Sequence, residues 1–253
     1  MDDAATVRAF GALIIGDEIL TGKRADKHLA HVIETLGARG IVLDYAQYLG
    51  DDRARLTDVL RHTFARGDVV FSFGGIGATP DDHTRQAAAA ALGVPLERHP
   101  DALREIEARF GEQAYPHRVL MAEFPAGSRI IPNPYNRIAA FAIRDHHFFP
   151  GFPQMAWPML DWVLAQWLPD LAREPHVERG VVVHDAGESQ LLPLMESITA
   201  AHPAVKLFSL PALLPDNVRR IELGVRGPAP AVEAAFAQLR EGVIASGFRW
   251  EPL

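Results

Sequence analysis

The sequence contains no cysteine. Disulfide bonds, thiolate nucleophiles and cysteine-ligated zinc sites are therefore excluded, and the chain suits a reducing compartment. It also lacks the apolar run of about 18 residues that a membrane-spanning helix needs. The first residues, MDDAATVRAF, carry acids where a signal peptide carries lysines, and they lack its apolar segment. We therefore expect a soluble, cytoplasmic protein with no membrane partner.

An excess of basic residues is missing as well. The chain has 25 Lys and Arg against 32 Asp and Glu, which gives a formal net charge of −7. Because a nucleic-acid-binding surface needs positive charge, nucleic acid is not an expected partner. The remaining composition, 48% hydrophobic and 23% charged over 253 residues, is that of a globular protein with one large domain or one medium and one small domain.

Strand-like and helix-like segments alternate three times in the first part of the chain. The strand-like segments are VRAFGALIIG, IVLDYAQYLG and DVVFSFGG, and the helix-like segments are DKHLAHVIETLGARG, DDRARLTDVLRHTFARG and PDDHTRQAAAAALGV. This alternation predicts a three-layer α/β/α domain with a mostly parallel sheet. Ligands bind such sheets beyond the carboxyl ends of the strands. The loops expected there are GDEILTG, LGDD and GGIGATPDD.

The second part of the chain predicts further elements and a domain boundary. PDALREIEARFG is helix-like, GSRIIPNPYN, IAAFAIRD and HHFFPGFP are short strands that include a hairpin, and PQMAWPMLDWVLAQWL is an amphipathic helix. Trp157, Trp162 and Trp167 on that helix are expected to be core or interface anchors. We place a boundary near residues 169–178, which separates domains 1–170 and 171–253. The later segments follow the order βαββαβ, typical of a small ferredoxin-like α+β subdomain.

The loop GGIGATPDDHT has the features of an anion site. Gly74, Gly75 and Gly77 can adopt backbone angles closed to other residues, and their amides can form a nest for phosphate. Thr79 is predicted as the N-cap of the following helix and Pro80 as its first residue. The loop is neither a Walker A motif, because no lysine follows the glycines, nor a dinucleotide-binding loop.

Pairs of acids follow all three predicted strands. They are Asp17 and Glu18, Asp51 and Asp52, and Asp81 and Asp82. One interpretation makes Asp81 and Asp82 structural acids at a helix start, where Thr79 and Asp82 have the spacing of a capping box. In the other interpretation, Asp81 and Asp82 bind a hard cation. Carboxylates next to a phosphate repel that phosphate unless a cation lies between them and binds both. Mg²⁺ binds through one or two carboxylates plus ligand phosphates, so we expect a divalent metal here.

These loops resemble the molybdopterin-binding domain shared by MoaB/MogA-type proteins, MoeA and the competence/damage-inducible protein CinA. The resemblance is carried by GDEILTGKRADKHLA, YLGDD and GGIGATPDDHT, by the turns NPYNRIAAF and PGFP, and by GESQL in the second part, and it is greatest for the CinA branch. It therefore covers nearly the whole chain. Family members often have proline where Ala78 stands and Thr-Ala-Pro-Gly near residues 136–140, where Arg137 is a newcomer.

The resemblance implies divalent-metal chemistry on a phosphoanhydride. MogA-type relatives adenylylate molybdopterin with Mg-ATP, and CinA-type relatives act as pyrophosphatases on ADP-ribose-like nucleotides. By motif, Asp82 and Asp51 are the implied catalytic residues, and Asp81 joins them as a metal ligand. The implied substrate-binding residues are Gly16, Asp17, Glu18, Gly74, Gly75, Gly77, Thr79, Thr84, Asn133, Pro134 and Gly151.

Three functions stay open at this point. The first is a metal-dependent enzyme acting on a nucleotide, the second a carrier or sensor of molybdopterin, and the third a member retained for oligomerisation. Relatives suggest a homodimer or homotrimer, and no segment is expected to encode the amidohydrolase domain of full-length CinA. Other chemistry is poorly represented, because the adjacent His146 and His147 would point to opposite faces of a strand and no Ser-His-Asp set is recognisable.

Overall fold

The structure is a computed structural model that describes residues 8–171, 176–213 and 219–253. The chain divides into two compact units, of which the first comprises residues 1–36 and 41–171 and the second comprises residues 37–40 and 172–253. Part of the predicted boundary segment, residues 172–175, lies outside the described residues.

The first unit contains a six-stranded mixed sheet and six α-helices among its described residues. The strands of the unit are β1 (Phe10–Ile15), β2 (Tyr45–Leu49), β3 (Val69–Phe73), β4 (Leu96–Arg98), β5 (Glu123–Pro125), β6 (Arg129–Ile131), β7 (Ala140–Ile143) and β8 (His146–Phe149). The helices are α1 (Asp17–Leu20), α2 (His28–Gly37), α3 (Arg53–Arg66), α4 (Thr84–Leu92), α5 (Pro100–Phe110) and α6 (Pro153–Gln166). Strands β4 and β5 pair only with each other.

The main sheet has the order β2-β1-β3-β8-β7-β6. The pairs β1–β2, β1–β3 and β3–β8 are parallel, whereas β7 is antiparallel to both of its neighbours. The chain moves one way along the sheet from β1 to β2 and the other way from β2 to β3, so right-handed crossovers place α2 and α3 on opposite faces. The parallel core of the sheet and its three layers are those that the sequence predicts.

Two adjacent histidines mark the two helical layers. The ring of His146 stacks on Phe64 of α3, with 3.8 Å between centroids, whereas the ring of His147 lies 6.2 Å from Trp167 just after α6. Trp157 of α6 stacks in turn on His31 of α2. Helices α2 and α6 therefore cover one face and α3 the other. The prediction that these histidines point in opposite directions is confirmed, and the three tryptophans pack against the core of this unit.

The helix after β3 begins later than the sequence predicts. It starts at Thr84 with His83 as its N-cap residue, so Thr79 is not its cap and Pro80 is not its first residue. Residues 79–82 instead form a turn, in which the Asp82 amide donates to the Thr79 carbonyl over 3.0 Å. The prediction failed because the Asp82 carboxylate accepts the Thr79 N–H within this turn, which mimics a capping box without starting a helix.

Two further differences concern short elements. The loop GDEILTG contains the one-turn helix α1, which is too short to show a periodic pattern. The pair β4–β5 was not predicted, because three-residue strands carry too little alternation to be recognised.

Around Asn133 the chain forms the predicted turn. The Asn133 side chain donates to the Ile138 carbonyl and accepts from the Tyr135 amide.

The second unit is a four-stranded antiparallel sheet with two helices. Its elements are β9 (Val177–His184), α7 (Glu188–Ala201), β10 (Lys206–Leu213), β11 (Arg219–Gly227), α8 (Ala229–Ala245) and β12 (Trp250–Pro252). The sheet order is β10-β11-β9-β12, and every pairing in it is antiparallel. This order is the ferredoxin-like one that the βαββαβ sequence pattern predicts. A separate core contains Val181, Leu191, Leu223 and Leu239.

Candidate functional site

The site lies at the carboxyl ends of the parallel strands β1, β2 and β3. The loops that follow these strands line a cleft of about 140 Å³, which we call the acidic cleft. Its lining residues are Ile15, Gly16, Glu18, Arg24, Asp51, Gly74, Gly75, Asp81, Asp82, Gly151 and Phe152. Because parallel neighbours end at the same edge of the sheet, three loops distant in sequence meet here.

The first two loops are held together through their acids. The Asp17 amide donates to the Asp51 carboxylate over 2.9 Å, and the Asp51 amide donates to the Asp17 carboxylate over 3.2 Å. Burial raises the pKa of Asp51, and the charges of Asp17, Glu18 and Asp81 raise it further against the lowering effect of the Asp17 amide. Carboxylates of all three loops therefore lie within electrostatic reach of Asp51.

Three glycines around the acidic cleft each lie against a carboxylate. A Cβ atom on Gly16 would lie 2.6 Å from Glu18 Oε2, and one on Gly50 would lie 2.5 Å from Asp17 Oδ1. A Cβ atom on Gly77 would overlap Asp82 Oδ2 in the same way. Gly16 and Gly77 thus leave room for an acid of their own loop, and Gly50 leaves room for Asp17 of the neighbouring loop.

The glycine loop after β3 is held in place by hydrogen bonds to β8 and to α4. The Gly74 N–H donates to Phe149 O over 3.0 Å, and the Thr84 hydroxyl donates to Gly74 O over 3.0 Å. Gly74 has φ +105°, and a Cβ there would overlap the Ile15 carbonyl. Gly75 and Gly77 donate no amide hydrogen bond to any described residue. Of the three amides predicted to form an anion nest, that of Gly74 is therefore used in a hydrogen bond to β8. The amides of Gly75 and Gly77 remain available to a ligand.

A buried arginine supports the same loop. The Arg85 guanidinium, at the start of α4, donates to Gly77 O over 2.5 Å and to Glu123 O over 3.0 Å, and it also bonds the Leu120 carbonyl. Arg85 is 3% exposed, and burial lowers its pKa. Sequence reasoning missed this residue, because an arginine in the first turn of a helix usually faces solvent and nothing in the pattern distinguishes this one.

The structure brings most of the predicted site residues together. Gly16, Glu18, Asp51, Gly74, Gly75, Asp81, Asp82 and Gly151 all line the acidic cleft. Three more predicted residues do not line the cleft but contact acids that do. The Asp17 amide bonds Asp51, and Gly77 lies against Asp82. The Thr79 N–H donates to Asp82 Oδ2 over 2.9 Å, and the Thr79 hydroxyl bonds the same oxygen. Hydrogen bonding from Thr79 also lowers the pKa of Asp81.

Three further predicted residues neither line the cleft nor contact its acids. Thr84 is fully buried beneath the glycine loop, where it bonds Gly74. Asn133 is buried, and its amide group holds the turn at residues 133–138. Its neighbour Pro134 is exposed. Arg137 of the same turn pairs with Glu105 over 2.7 Å on the surface rather than with the cleft. Asp52 caps α3 by accepting from the Arg55 amide.

Besides Arg85, sequence reasoning missed three residues next to the site, which are Arg24, His28 and Phe152. Arg24 and Phe152 line the acidic cleft, and His28 Nε2 lies 3.2 Å from Gly151 O. The His28 ring also stacks on Phe73 of β3, and burial lowers its pKa. The phenylalanine within the PGFP turn at residues 150–153 was the sequence signal that could have pointed to Phe152.

The fold and the site together define an α/β protein with a glycine-lined acidic cleft at the carboxyl ends of its parallel strands. Residues 11–171 match the family model described as a probable molybdopterin binding domain. The chain therefore belongs to this molybdopterin-binding-domain family.

Individual relatives agree with this placement. A CinA-like protein of Anaeromyxobacter sp. (strain Fw109-5) is 37% identical over 171 residues, which is 64% of this chain and 42% of that protein. One from Anaeromyxobacter dehalogenans (strain 2CP-C) is 31% identical over 243 residues, 92% of this chain and 58% of that protein. This chain thus spans about half the length of the curated relatives it matches.

A solved structure shares the fold of the first unit. The crystal structure of the protein CinA with unknown function from Thermoplasma acidophilum aligns with a TM-score of 0.58 and 26% identity. The alignment covers 66% of this chain and 100% of that one. Among the described residues, no helix is long and apolar enough to cross a membrane.

Proposed function

We propose that this protein is a divalent-metal-dependent enzyme that cleaves or transfers across the phosphoanhydride of an ADP-ribose-like nucleotide. One observation carries the proposal. Carboxylates from three separate loops converge on a cleft that is also lined by glycines, and burial raises the pKa of Asp51, with a smaller rise from the charges of Asp17, Glu18 and Asp81. Such a cluster favours a ligand that combines a hard cation with phosphate.

The residues present fit a metal that brings phosphate with it. Among the described residues, no group of three His, Asp or Glu side chains is arranged to hold a metal ion by itself. Mg²⁺ needs no such group, because it binds through one or two carboxylates and completes its shell with phosphate oxygens and water. One or two of the predicted ligands Asp82, Asp51 and Asp81 would hold it. When bound, the metal polarises the phosphoryl group and lowers the pKa of bound water.

The chain's own groups would bind and orient the substrate. The amides of Gly75 and Gly77 are available to phosphate oxygens, and Arg24 offers a charge at the edge of the acidic cleft. The Asp82 carboxylate accepts two hydrogen bonds from Thr79 at a single oxygen, Oδ2. These bonds fix its orientation toward the cleft while Oδ1 stays available to a cation or a water molecule.

A second candidate is a protein that binds molybdopterin or a nucleotide without chemistry. It is favoured by the family description, which names molybdopterin binding and no reaction. The phosphate of molybdopterin would occupy the same acidic cleft as that of a nucleotide, so the geometry alone suits both candidates. Turnover is the measurement that separates them.

Substitution of Asp82 tests the enzymatic proposal. We expect Asp82→Asn to abolish Mg²⁺-dependent turnover of ADP-ribose, because the carboxamide carries no charge for the metal. The melting temperature should stay within a few degrees, because Asp82 caps no helix and the amide oxygen can still accept from Thr79. Asp58→Asn is the matched control, since this acid lies exposed on α3 away from the acidic cleft.

Two results would contradict the proposal. Full turnover in Asp82→Asn would remove this residue from the reaction. The carrier would be favoured if the wild-type protein turned over neither ADP-ribose nor ATP in the presence of Mg²⁺ and bound molybdopterin tightly in calorimetry. Global unfolding of Asp82→Asn would instead give the carboxylate a mainly structural part in the turn at residues 79–82.

A further inference from the structure

Arg85 is a buried cation whose hydrogen-bond partners are all backbone carbonyls. Its side chain is 3% exposed, and the guanidinium donates to the carbonyls of Gly77, Leu120 and Glu123. A buried charge is costly, and a neutral amide side chain can also donate to carbonyls. The choice of a guanidinium at this position therefore has a reason beyond the satisfaction of buried carbonyls.

The guanidinium joins two segments that are distant in sequence. Its Nη2 donates to Gly77 O in the glycine loop over 2.5 Å. Its Nη1 donates to Glu123 O in β5 over 3.0 Å and also bonds Leu120 O, three residues earlier. Because the guanidinium is one rigid planar group, the attachment to β5 also fixes the Gly77 carbonyl. A lysine ammonium has a single nitrogen and cannot occupy both donor positions.

Gly77 connects Arg85 to the acidic cleft. A Cβ atom on Gly77 would overlap Asp82 Oδ2, so the Asp82 carboxylate packs directly against the peptide that Arg85 holds. The charge of Asp82 also lies within electrostatic reach of the guanidinium. Asp82 in turn lines the acidic cleft. A shift of the Gly77 backbone would therefore move a carboxylate of the cleft.

The start of α4 also sets the direction of the amides in the glycine loop. Thr84 binds the carbonyls of Gly74 and Gly75, and the carbonyl of Gly77 is bound by Arg85. In a trans peptide, as these are, the carbonyl of one residue and the N–H of the next point in opposite directions. The amides of residues 75, 76 and 78 therefore point away from α4, and none of them donates to a described residue. Such unpaired N–H groups are what an anion requires.

We propose that Arg85 is a positioning residue, which holds the Gly77 peptide so that the Asp82 carboxylate keeps its place in the acidic cleft. Arg85 acts through Gly77 and touches neither the substrate nor the metal. The inference rests on the proposed function, because it takes Asp82 as a metal ligand. Loss of the guanidinium should therefore change the dependence of turnover on Mg²⁺ in protein that is still folded.

Arg85→Lys tests the inference with Mg²⁺ and ADP-ribose, because the ammonium keeps the charge but cannot hold Gly77 and β5 together. We expect the Mg²⁺ concentration for half-maximal turnover to rise and kcat to fall, each about tenfold, the scale on which supports of metal ligands act. Arg85→Met, which loses the charge and all the donors, should lose more of both.

Ala88→Gly is the control for stability. Ala88 is a fully buried residue of α4, and glycine there weakens the helix while Arg85 keeps its hydrogen bonds. Its melting temperature should fall. At a temperature where every variant is folded, its kcat and its Mg²⁺ dependence should equal those of the wild type.

A double-mutant cycle with Gly77→Ala separates positioning from a general loss of order. The added Cβ of Gly77→Ala and the lost tether of Arg85→Lys should displace the same carboxylate, so their effects on kcat should not multiply. The double variant should lose about as much as the more severe single variant. Losses that multiply would place the effect of Arg85 elsewhere and overturn the inference.

The outcomes distinguish this inference from the proposed function. If the wild type turns over ADP-ribose and Arg85→Lys has the same kcat and Mg²⁺ dependence, the positioning role is wrong and the enzyme remains. If the wild type turns over neither ADP-ribose nor ATP, the proposed function fails, and calorimetry with Mg²⁺ and pyrophosphate then decides the positioning role. Weaker binding by Arg85→Lys than by the wild type would support that role, and equal binding or none would overturn it.

Discussion

At the scale of single residues, three glycines around the acidic cleft each lie against a carboxylate, two within one loop and one between neighbouring loops. Gly16 lies against Glu18, Gly50 against Asp17 and Gly77 against Asp82. The glycines therefore have a second role besides offering amides to an anion, because they make space for the neighbouring carboxylates. The missing side chains let Glu18 and Asp82 fold back over their own loops and let Asp17 approach the loop after β2, while the amides of Gly75 and Gly77 stay available.

Gly77→Ala tests this pairing. Gly77 does not have a positive φ, so alanine meets no backbone strain, but its Cβ would overlap Asp82 Oδ2. We expect the carboxylate to move and Mg²⁺-dependent turnover of ADP-ribose to fall about tenfold or more, because small misplacements of catalytic groups are costly. Thermal melting should change by only a few degrees.

Gly37→Ala is the matched control for that variant. Gly37 also lacks a positive φ, and a Cβ there would meet no atom within 4 Å. Its turnover should equal that of the wild type. Equal turnover in Gly77→Ala would show that the exact position of the Asp82 carboxylate does not matter for the reaction.

His147 makes stability sensitive to acid. Burial lowers its pKa from 6.5 to about 4, with smaller contributions from Arg129 and Arg8 against a backbone hydrogen bond at Val70. Between these two values the unfolded chain binds a proton that the folded chain does not. The free energy of unfolding should therefore fall as the pH falls from 6.5 to 4, by about 1.4 kcal/mol per pH unit for this group.

His147→Phe should remove that contribution. Urea unfolding at several pH values should show a slope shallower by about one proton in this window, and a residual slope from His146, whose pKa burial also lowers, to about 3. Above pH 7 both proteins should have similar stability, since the phenylalanine would lie between Phe71 and Trp167 as the imidazole does. An unchanged slope would mean that His147 is protonated in the folded protein.

At the scale of elements, the acids that look alike in sequence separate into two groups. Asp52 has an extended backbone and accepts from the Arg55 amide over 2.7 Å, which makes it the N-cap of α3. Asp51, one residue earlier, faces the acidic cleft. Asp81 and Asp82 lie in a turn before α4 and cap nothing. The interpretation of Asp81 and Asp82 as acids that cap a helix start is therefore wrong, and the acid that does cap a helix is Asp52, for which that role was not predicted.

Asp52→Ala should destabilise the protein without a direct effect on the cleft. Loss of an N-cap typically costs about 1 kcal/mol, which chemical denaturation can measure. Asp58→Ala, within the same helix, is the control and should cost less, because its pairing with Arg61 is exposed. Identical unfolding curves for Asp52→Ala and the wild type would contradict the assignment of the cap.

At the scale of the whole molecule, the sheet order decides which loops meet. Strands β2, β1 and β3 are neighbours, so loops separated by roughly thirty residues of chain, as in any βαβ unit, share one edge. The second unit has its own sheet and its own core. We expect this chain to form a homodimer or homotrimer, as its relatives suggested from sequence. Light scattering of the purified protein checks this, and a monomeric mass would overturn it.

The sequence by itself determined the alternation of strands and helices, the ferredoxin-like order of the second unit and the three acidic loops. These features depend on local periodicity and on residue type, which a linear pattern contains. Only the tertiary structure decided that α4 starts at Thr84, that the Gly74 amide belongs to the sheet, and that Arg24, His28 and Phe152 adjoin the acids. Such contacts depend on how distant segments compete for the same hydrogen bonds and space, and no local pattern records that competition.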